Sequence, residues 1–246
     1  ALQAAIFVNQ EMLIDKQLLT FTDTTNFANF RVGDVVDKGT LASIDTPNKQ
    51  LGVVPNSGAW TSSTPVTTEA WTDVTYGSDK FVAVSRTGNQ CGMYSLDGVS
   101  WSATTGLDVA SAPGCVAYGN NNYVALHTNS YWSSDGISWT KTNLATQTFQ
   151  GAVFGNNRFV AVGQNGALAY SNDTGITWTE QTASSGYTYY SVAFGNEKFV
   201  ATRSGNTSIY SADGITWTES NIHASSNWKS VTFANNKFVA VGETTD

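Results

Sequence analysis

The chain has 246 residues, of which only 13% are charged, and its 12 basic against 19 acidic side chains leave a net charge of −7. So sparse and acidic a charge set lacks the phosphate-neutralising surface of a nucleic-acid binder, and no apolar run approaches the roughly 20 residues of a membrane span. The remainder is rich in Gly, Ser, Thr, Asn and aromatics with four prolines, the vocabulary of strands joined by tight turns.

The opening Ala1-Leu-Gln-Ala-Ala-Ile-Phe-Val-Asn9 is short, has no basic leader and does not read as a signal peptide. Because the chain begins without methionine and stops partway through a repeat, it is expected to be part of a longer polypeptide. Residues 1–68 share no repeat and read as a small β module that docks or links the rest. Within it, Phe30-Arg-Val-Gly-Asp-Val-Val36, then Ser43-Ile-Asp45, Asn48 and Gly58-Ala-Trp60, resembles a module that recurs in predicted tail and fibre proteins of marine bacteriophages.

Residues 69–246 repeat. One motif runs Trp71–Val84, Pro113–Leu126, Phe149–Val162, Tyr189–Thr202 and Trp228–Val241: an apolar segment ending on an aromatic, a polar two-residue turn, then a second apolar segment. Its chemistry is that of a hairpin. The second segment is apolar on both alternating faces, so both faces should be covered by neighbouring sheets. Between these copies stands a second motif, Ser95-Leu-Asp97-Gly-Val-Ser-Trp101, Ser133-Ser-Asp135-Gly-Ile-Ser-Trp139, Ser171-Asn-Asp173-Thr-Gly-Ile-Thr-Trp178 and Ser211-Ala-Asp213-Gly-Ile-Thr-Trp217. The tryptophans are 38, 39 and 39 residues apart. A fixed period near forty, with four short strands per unit, predicts an all-β chain whose units are radial sheets, a β-propeller. Four units are complete and a fifth is partial. The ring closes either through further blades, the preferred reading, or by Leu51–Val54 and Gly58–Thr61 completing the last blade.

The second motif resembles the Asp-box, or BNR, repeat; the copy ending at Trp178 matches in full, and the others lack one residue before the Gly. The resemblance implies a hairpin between the third and fourth strands of each blade. Asp97, Asp135, Asp173 and Asp213 would then hold the turn while Trp101, Trp139, Trp178 and Trp217 pack beneath it. Their recurrence in every unit argues for structure rather than catalysis, since an active site is built once.

Spacing separates scaffold from variable surface. The step from first-strand to second-strand aromatic is five residues in all five copies, whereas second to third strand spans 13, 9, 11 and 11 residues. In a meander blade the first kind of turn lies on one face and the second on the other, so one face is uniform and the opposite one varies. The candidate binding residues fall on the variable face: Arg86, His127, Gln164 and Arg203 after second strands, with Tyr187, Tyr189, His223 and Asn227 between blades. Aromatic rings with Arg, Gln, Asn and His suit sugar recognition by stacking and hydrogen bonding. Lys80, Arg158, Lys198 and Lys237 ring the uniform face as solubilising turn residues. No metal-ligand spacing is present, no cofactor is expected, and Cys91 and Cys115 read as buried thiols, a bridge between them remaining open.

These features lead us to expect a non-enzymatic virion protein, a tail or head fibre component outside the cell, bound to a host-surface glycan or to other virion proteins. A fibre would most often be trimeric, which admits a homotrimer, but no coiled-coil heptads are present to support it and the sequence leaves the oligomeric state open. The Asp-box resemblance also includes sialidases, which implies an arginine triad, a Tyr nucleophile paired with Glu, and an Asp acid. The repeats hold three arginines, Arg86, Arg158 and Arg203, in registers that do not form a triad. Asp-box photosystem assembly factors offer a third comparison, an intracellular scaffold.

Overall fold

The computed structural model describes residues 2–5, 52–53, 61–62, 69–87, 89–109, 112–144, 147–183 and 186–243. Most of the 1–68 module, the phage-like motif included, lies outside the described residues. Three short strands belong to it: β1 (Leu2–Ala5), β2 (Gly52–Val53) and β3 (Thr61–Ser62).

The repeats form four antiparallel sheets arranged as a β-propeller. The first is β4 (Trp71–Gly77), β5 (Lys80–Ser85), β6 (Gly92–Ser95) and β7 (Ser102–Ala103). The second is β8 (Cys115–Gly119), β9 (Asn122–Leu126), β10 (Ser130–Ser133) and β11 (Thr140–Lys141). The third is β12 (Phe149–Gly155), β13 (Arg158–Gly163), β14 (Ala167–Ser171) and β15 (Thr179–Thr182). The fourth holds β16 (Tyr189–Gly195), β17 (Lys198–Ser211), β18 (Thr218–Ala234) and β19 (Lys237–Glu243), with β1 added at its edge.

That fourth sheet departs from the expected strand breaks. β17 spans the second and third strands of its unit, passing through Gly205 at φ +100. β18 runs from the fourth strand of this unit into the first strand of the fifth repeat, and its pairs Ser204–Asn227 and Gly205–Ser226 join the two repeats. Of the residues read from sequence as loops, Ser204, Gly205, Ser226 and Asn227 are thus ladder residues here, with a register shift between Gly205 and Thr207. At the far edge, Leu2 faces Glu243 and Ala5 faces Ala240. The strand beside β19 therefore comes from the N-terminus, upstream of the segment singled out for closure; β2 and β3 pair with each other.

The first-to-second-strand turns are alike in all five copies. Ser78-Asp79, Asn120-Asn121, Asn156-Asn157, Asn196-Glu197 and Asn235-Asn236 all have positive φ at both positions, the geometry that matches the twist of a hairpin. Asn and Asp tolerate this left-handed region better than other side chains. Beside each turn the two aromatics face each other at centroid distances of 4.6–4.9 Å.

Sheets stack face to face. The second strands are buried on both faces, as at Val82-Ala83-Val84, Val124-Ala125-Leu126 and Val160-Ala161-Val162. Between neighbouring first-strand segments one contact recurs: the ring of each repeat lies on the terminal glycine of the repeat before it. A Cβ on Gly77, Gly119, Gly155 or Gly195 would sit 2.0–2.1 Å from the ring of Tyr118, Phe154, Phe194 or Phe233 respectively. Only glycine allows so close an approach.

Candidate recognition face and its two polar clusters

The Ser-x-Asp hairpins are closed polar turns. In each, the Ser hydroxyl donates to the Asp carboxylate at 2.8–3.0 Å and accepts the Gly N–H at 2.7–2.9 Å. Asp Oδ1 then accepts backbone N–H groups further on: Val99 and Ser100, Ile137 and Ser138, Thr177, Ile215 and Thr216. The N–H of Ser100 and that of Thr216 are the main reasons Asp97 and Asp213 are held down at about 2. At Asp135 and Asp173 desolvation works the other way, but the hydrogen bonds outweigh it and both stay low. Trp101 and Trp178 donate their indole N–H to the Gly carbonyls of their own turns. The hairpin glycines of later sheets press on earlier ones: Gly136 against Val82, Gly175 against Val124, and Gly214 against Val160. Asn156 adds a bond to the carbonyl of Ala212 at 2.9 Å. These turns therefore clip neighbouring sheets together, and their carboxylates are spent on backbone donors.

On the opposite face the candidate residues fall into two clusters. The first joins the opening three sheets. Arg86, after β5, reaches across Gly114 to donate to the Gln150 amide oxygen in β12. A Cβ at Gly114 would meet Arg86 Nε at 2.4 Å, so the glycine makes room for the guanidinium. Asp73 in β4 accepts the N–H of Val116 in β8 at 2.8 Å and that of Val74 at 2.9 Å. Desolvation pushes its carboxyl up to about 6, against the opposing pull of these two N–H groups and of Arg86. His127 follows β9; desolvation first, then Arg86, lower its pKa. Burial raises the Cys115 thiol, which is free, as is Cys91.

The second cluster lies between the third and fourth sheets. Tyr189 and Arg203 are cross-strand partners on β16 and β17. Arg203 is only 4% exposed. Its guanidinium carbon stands 3.6 Å from the Tyr187 ring centroid, Nε donates to Thr207 Oγ1 at 2.8 Å, and Nη2 meets Glu219 Oε1 at 3.4 Å. Nη1 and the Tyr189 hydroxyl are buried without a protein partner. Burial also raises the Tyr189 pKa. Tyr187 is 42% exposed, and its carbonyl accepts the N–H of Gly166 at 2.7 Å. That bond ties it to the short 3₁₀ turn Gln164–Gly166, where Gln164 is exposed.

Gln164, Tyr187, Tyr189 and Arg203 thus converge, and Arg86 and His127 form a separate group. Tyr189 is fully buried and offers no ring to a ligand; it supports Arg203 instead. His223 falls within β18 rather than in a connection, and its side chain is outside the described residues. Sequence reasoning passed over Asp73, Gln150 and Glu219. Comparison of the copies held a signal for Asp73: the same position carries Cys115, Gly151, Ser191 and Ser230, so one carboxylate stands among small residues. Away from both clusters, a shallow groove of about 510 Å³ at the rim is lined by Trp132, Thr140, Lys141, Asn143 and Ile176. Among the described residues no group of three or more His, Cys, Asp or Glu could hold a metal ion.

No protein-family model matches the chain, and no curated protein matches it either. Solved structures do. Virginiamycin B lyase from Staphylococcus aureus superposes with a TM-score of 0.68 at 13% identity, over 80% of this chain and 74% of that one. YCF48 bound to D1 peptide gives 0.55 at 14%, over 77% and 69%. A chain of the nidogen/laminin complex gives 0.56 at 8%, over 75% and 76%. The likeness is one of fold. It confirms a β-propeller and is silent on chemistry, since propellers of one shape serve a lyase and peptide- or protein-bound chains alike.

Proposed function

We propose that this chain is a non-enzymatic recognition propeller of the Asp-box repeat type, carried on a virion as a tail or head fibre component. Its face of varied connections holds a host-surface glycan or a neighbouring structural protein, and the 1–68 segment serves as its docking module. The observation that carries the binding reading is the cluster of Tyr187, Arg203 and Gln164. A half-exposed ring is locked over a buried guanidinium, beside an exposed amide and the Glu219 carboxylate. Rigid aromatic surface with fixed polar groups is what partner recognition uses at low entropic cost.

Catalysis is disfavoured by the disposition of the arginines. Arg86 is committed to Gln150, Arg203 to Thr207 and Glu219, and Arg158 follows a uniform-face turn, with its guanidinium 5.7 Å from the Tyr170 ring centroid. A protein partner is supported by the peptide-bound and laminin-complex neighbours, at the level of fold. The test is a glycan array together with a hydrolysis assay on sialyl and other glycosides, run on the chain and on Tyr187→Ala and Arg203→Ala. Binding lost in both variants, with no turnover in any sample, is the expected result. Turnover abolished by Arg203→Ala would overturn the reading.

A further inference from the structure

The rim between neighbouring sheets is closed in one place and open in the next. Between the first and second sheets the chain leaving β7 crosses to the Ser-x-Asp hairpin of its neighbour. There Thr105 donates its N–H to the Ile137 carbonyl at 2.9 Å and accepts the Trp139 N–H at 3.0 Å, a parallel bridge opposite Ser138. The register matches Thr105 with Asn143 and Ile137 with Ile176, because Tyr94 pairs with Ser102 as Trp132 pairs with Thr140. Between the second and third sheets that bridge is not made. After Asn143 the chain turns inward instead: Leu144 donates its N–H to Ser130 Oγ at 3.3 Å and joins the buried core with Cys115 and Phe149. The space left is the rim groove of about 510 Å³, within the roughly 300–1,000 Å³ of ligand sites.

Both walls of this groove carry backbone groups still to be paired. In an antiparallel edge strand alternate residues bond inward. Thr142 donates to the Ser130 carbonyl at 2.8 Å, so Lys141 and Asn143 turn their N–H and C=O groups towards the groove. Opposite them stand the Ile176 carbonyl and the Trp178 N–H, counterparts of the two groups that Thr105 satisfies; among the described residues neither has a backbone partner. Exposure follows the missing bridge. Ile176 is 49% exposed, whereas Ile137 and Ile215 at the same hairpin position are partly buried. The groove is also lined by Trp132, where the other copies carry Tyr94, Tyr170 and Tyr210; tryptophan is the kind of anchor that binding hot spots favour. Unpaired edge backbone beside an aromatic ring is a template for an added strand. The sheets on both sides of this groove are in place, so a further sheet of the stack does not fill it.

We propose that the rim groove between β11 and the hairpin of the third sheet binds an extended peptide segment of a partner protein. Its backbone bonds to Ile176 and Trp178 as Thr105 bonds to Ile137 and Trp139, and its side chains pack on Trp132. The bridging residue is small or β-branched, as Thr105 is. What favours a peptide over a sugar is the filled twin of this slot, which the chain closes with its own extended backbone. The inference stands apart from the ligand face and survives if that face binds nothing.

The probe is that twin filler, a capped synthetic peptide with the sequence of residues 102–108, titrated into the isotope-labelled chain. Amide NMR shifts and hydrogen exchange are read. Expected are saturable shifts and slowed exchange at the amides of Trp178, Lys141 and Asn143, with those of Gln164 and Arg203 unmoved. N-methylation of the peptide at the residue matching Thr105 deletes the donor to Ile176 and should weaken binding about tenfold. Ile176→Ser, at an exposed position, should weaken it several-fold while the remaining amide shifts stay those of the folded parent. A peptide that moves none of these amides, or that binds equally well when N-methylated, overturns the proposal. Amides of Lys141, Asn143 and Trp178 that already resist exchange in the unaltered chain do so too, by showing that its own residues fill the groove. So does a neutral oligosaccharide such as cellohexaose that shifts them where the peptide does not, which would assign the groove to sugar.

Discussion

Gly155→Ala tests whether close approach between first strands holds the stack together. The new Cβ would lie 2.1 Å from Phe194 Cγ and 2.4–2.5 Å from both Cδ atoms, whereas carbon atoms at rest stand about 3.5–4.0 Å apart. The ring would have to retreat by more than an ångström, and its centroid already lies 4.6 Å from that of the tilted Phe199 ring, which is fully buried. Forcing a core apart in this way costs about 3 kcal/mol. Loss of glycine freedom in the unfolded chain offsets up to about 1 kcal/mol. A net destabilisation of about 2 kcal/mol should lower Tm by about 4–8 °C in a chain of this size. Denaturant unfolding and calorimetry read it directly. The companion variant Phe194→Ala should cost about 3 kcal/mol alone, yet combining the two should cost about 3 kcal/mol less than their sum, because the clash disappears with the ring while the unfolded-state offset stays. A Gly155→Ala protein within about 0.5 kcal/mol of the parent, or strictly additive costs, would refute the reasoning.

Asp73→Asn probes the desolvated, partly buried carboxylate. Its folded pKa of about 6 lies above the ordinary 3.8, so the folded state holds the proton more tightly. Its contribution to stability should therefore be fullest below about pH 4, fall as pH rises towards 6 and level off above; Asn, which keeps an acceptor for Val116, should flatten that slope in denaturation midpoints from pH 4 to 7. Asp213→Ala removes the acceptor of a turn, and a loss of about 1–2 kcal/mol is expected at pH 7. With the folded pKa depressed to about 2, this contribution is present above pH 4 and vanishes as pH falls through 2, so parent and variant should converge in acid. Gly114→Ala should eject Arg86 from Gln150 with a stability change within about 1 kcal/mol, since the displaced group is the end of a flexible side chain. It should raise the NMR-monitored pKa of His127 as the neighbouring cation withdraws, and an unmoved His127 would count against the cluster.

Much of this architecture could be read before any coordinates. Five-residue steps between aromatics, with Asn, Asp, Ser or Glu between them, dictated hairpins with positive φ at both turn residues. Second strands apolar on both faces dictated sheets covered from both sides. The gathering of Gln164, Tyr187 and Arg203 followed in part, because variable connections share a face. It could not be read that Tyr189 lies wholly inside, nor that Arg86 spans three sheets to Gln150, since both depend on which way a strand is turned against its neighbour. The continuity of β17 and β18 was equally hidden, for a short polar stretch pairs or loops according to what stands beside it.

What the chain decides alone, then, is local and periodic: turn chemistry, alternation and the forty-residue unit, each set by sterics and hydrogen bonding over a few residues. What the tertiary structure decides is contact between copies, because identical units meet different neighbours. The same motif is buried at Val116 and open at Val74, and that difference comes from position in the stack, which no single repeat encodes.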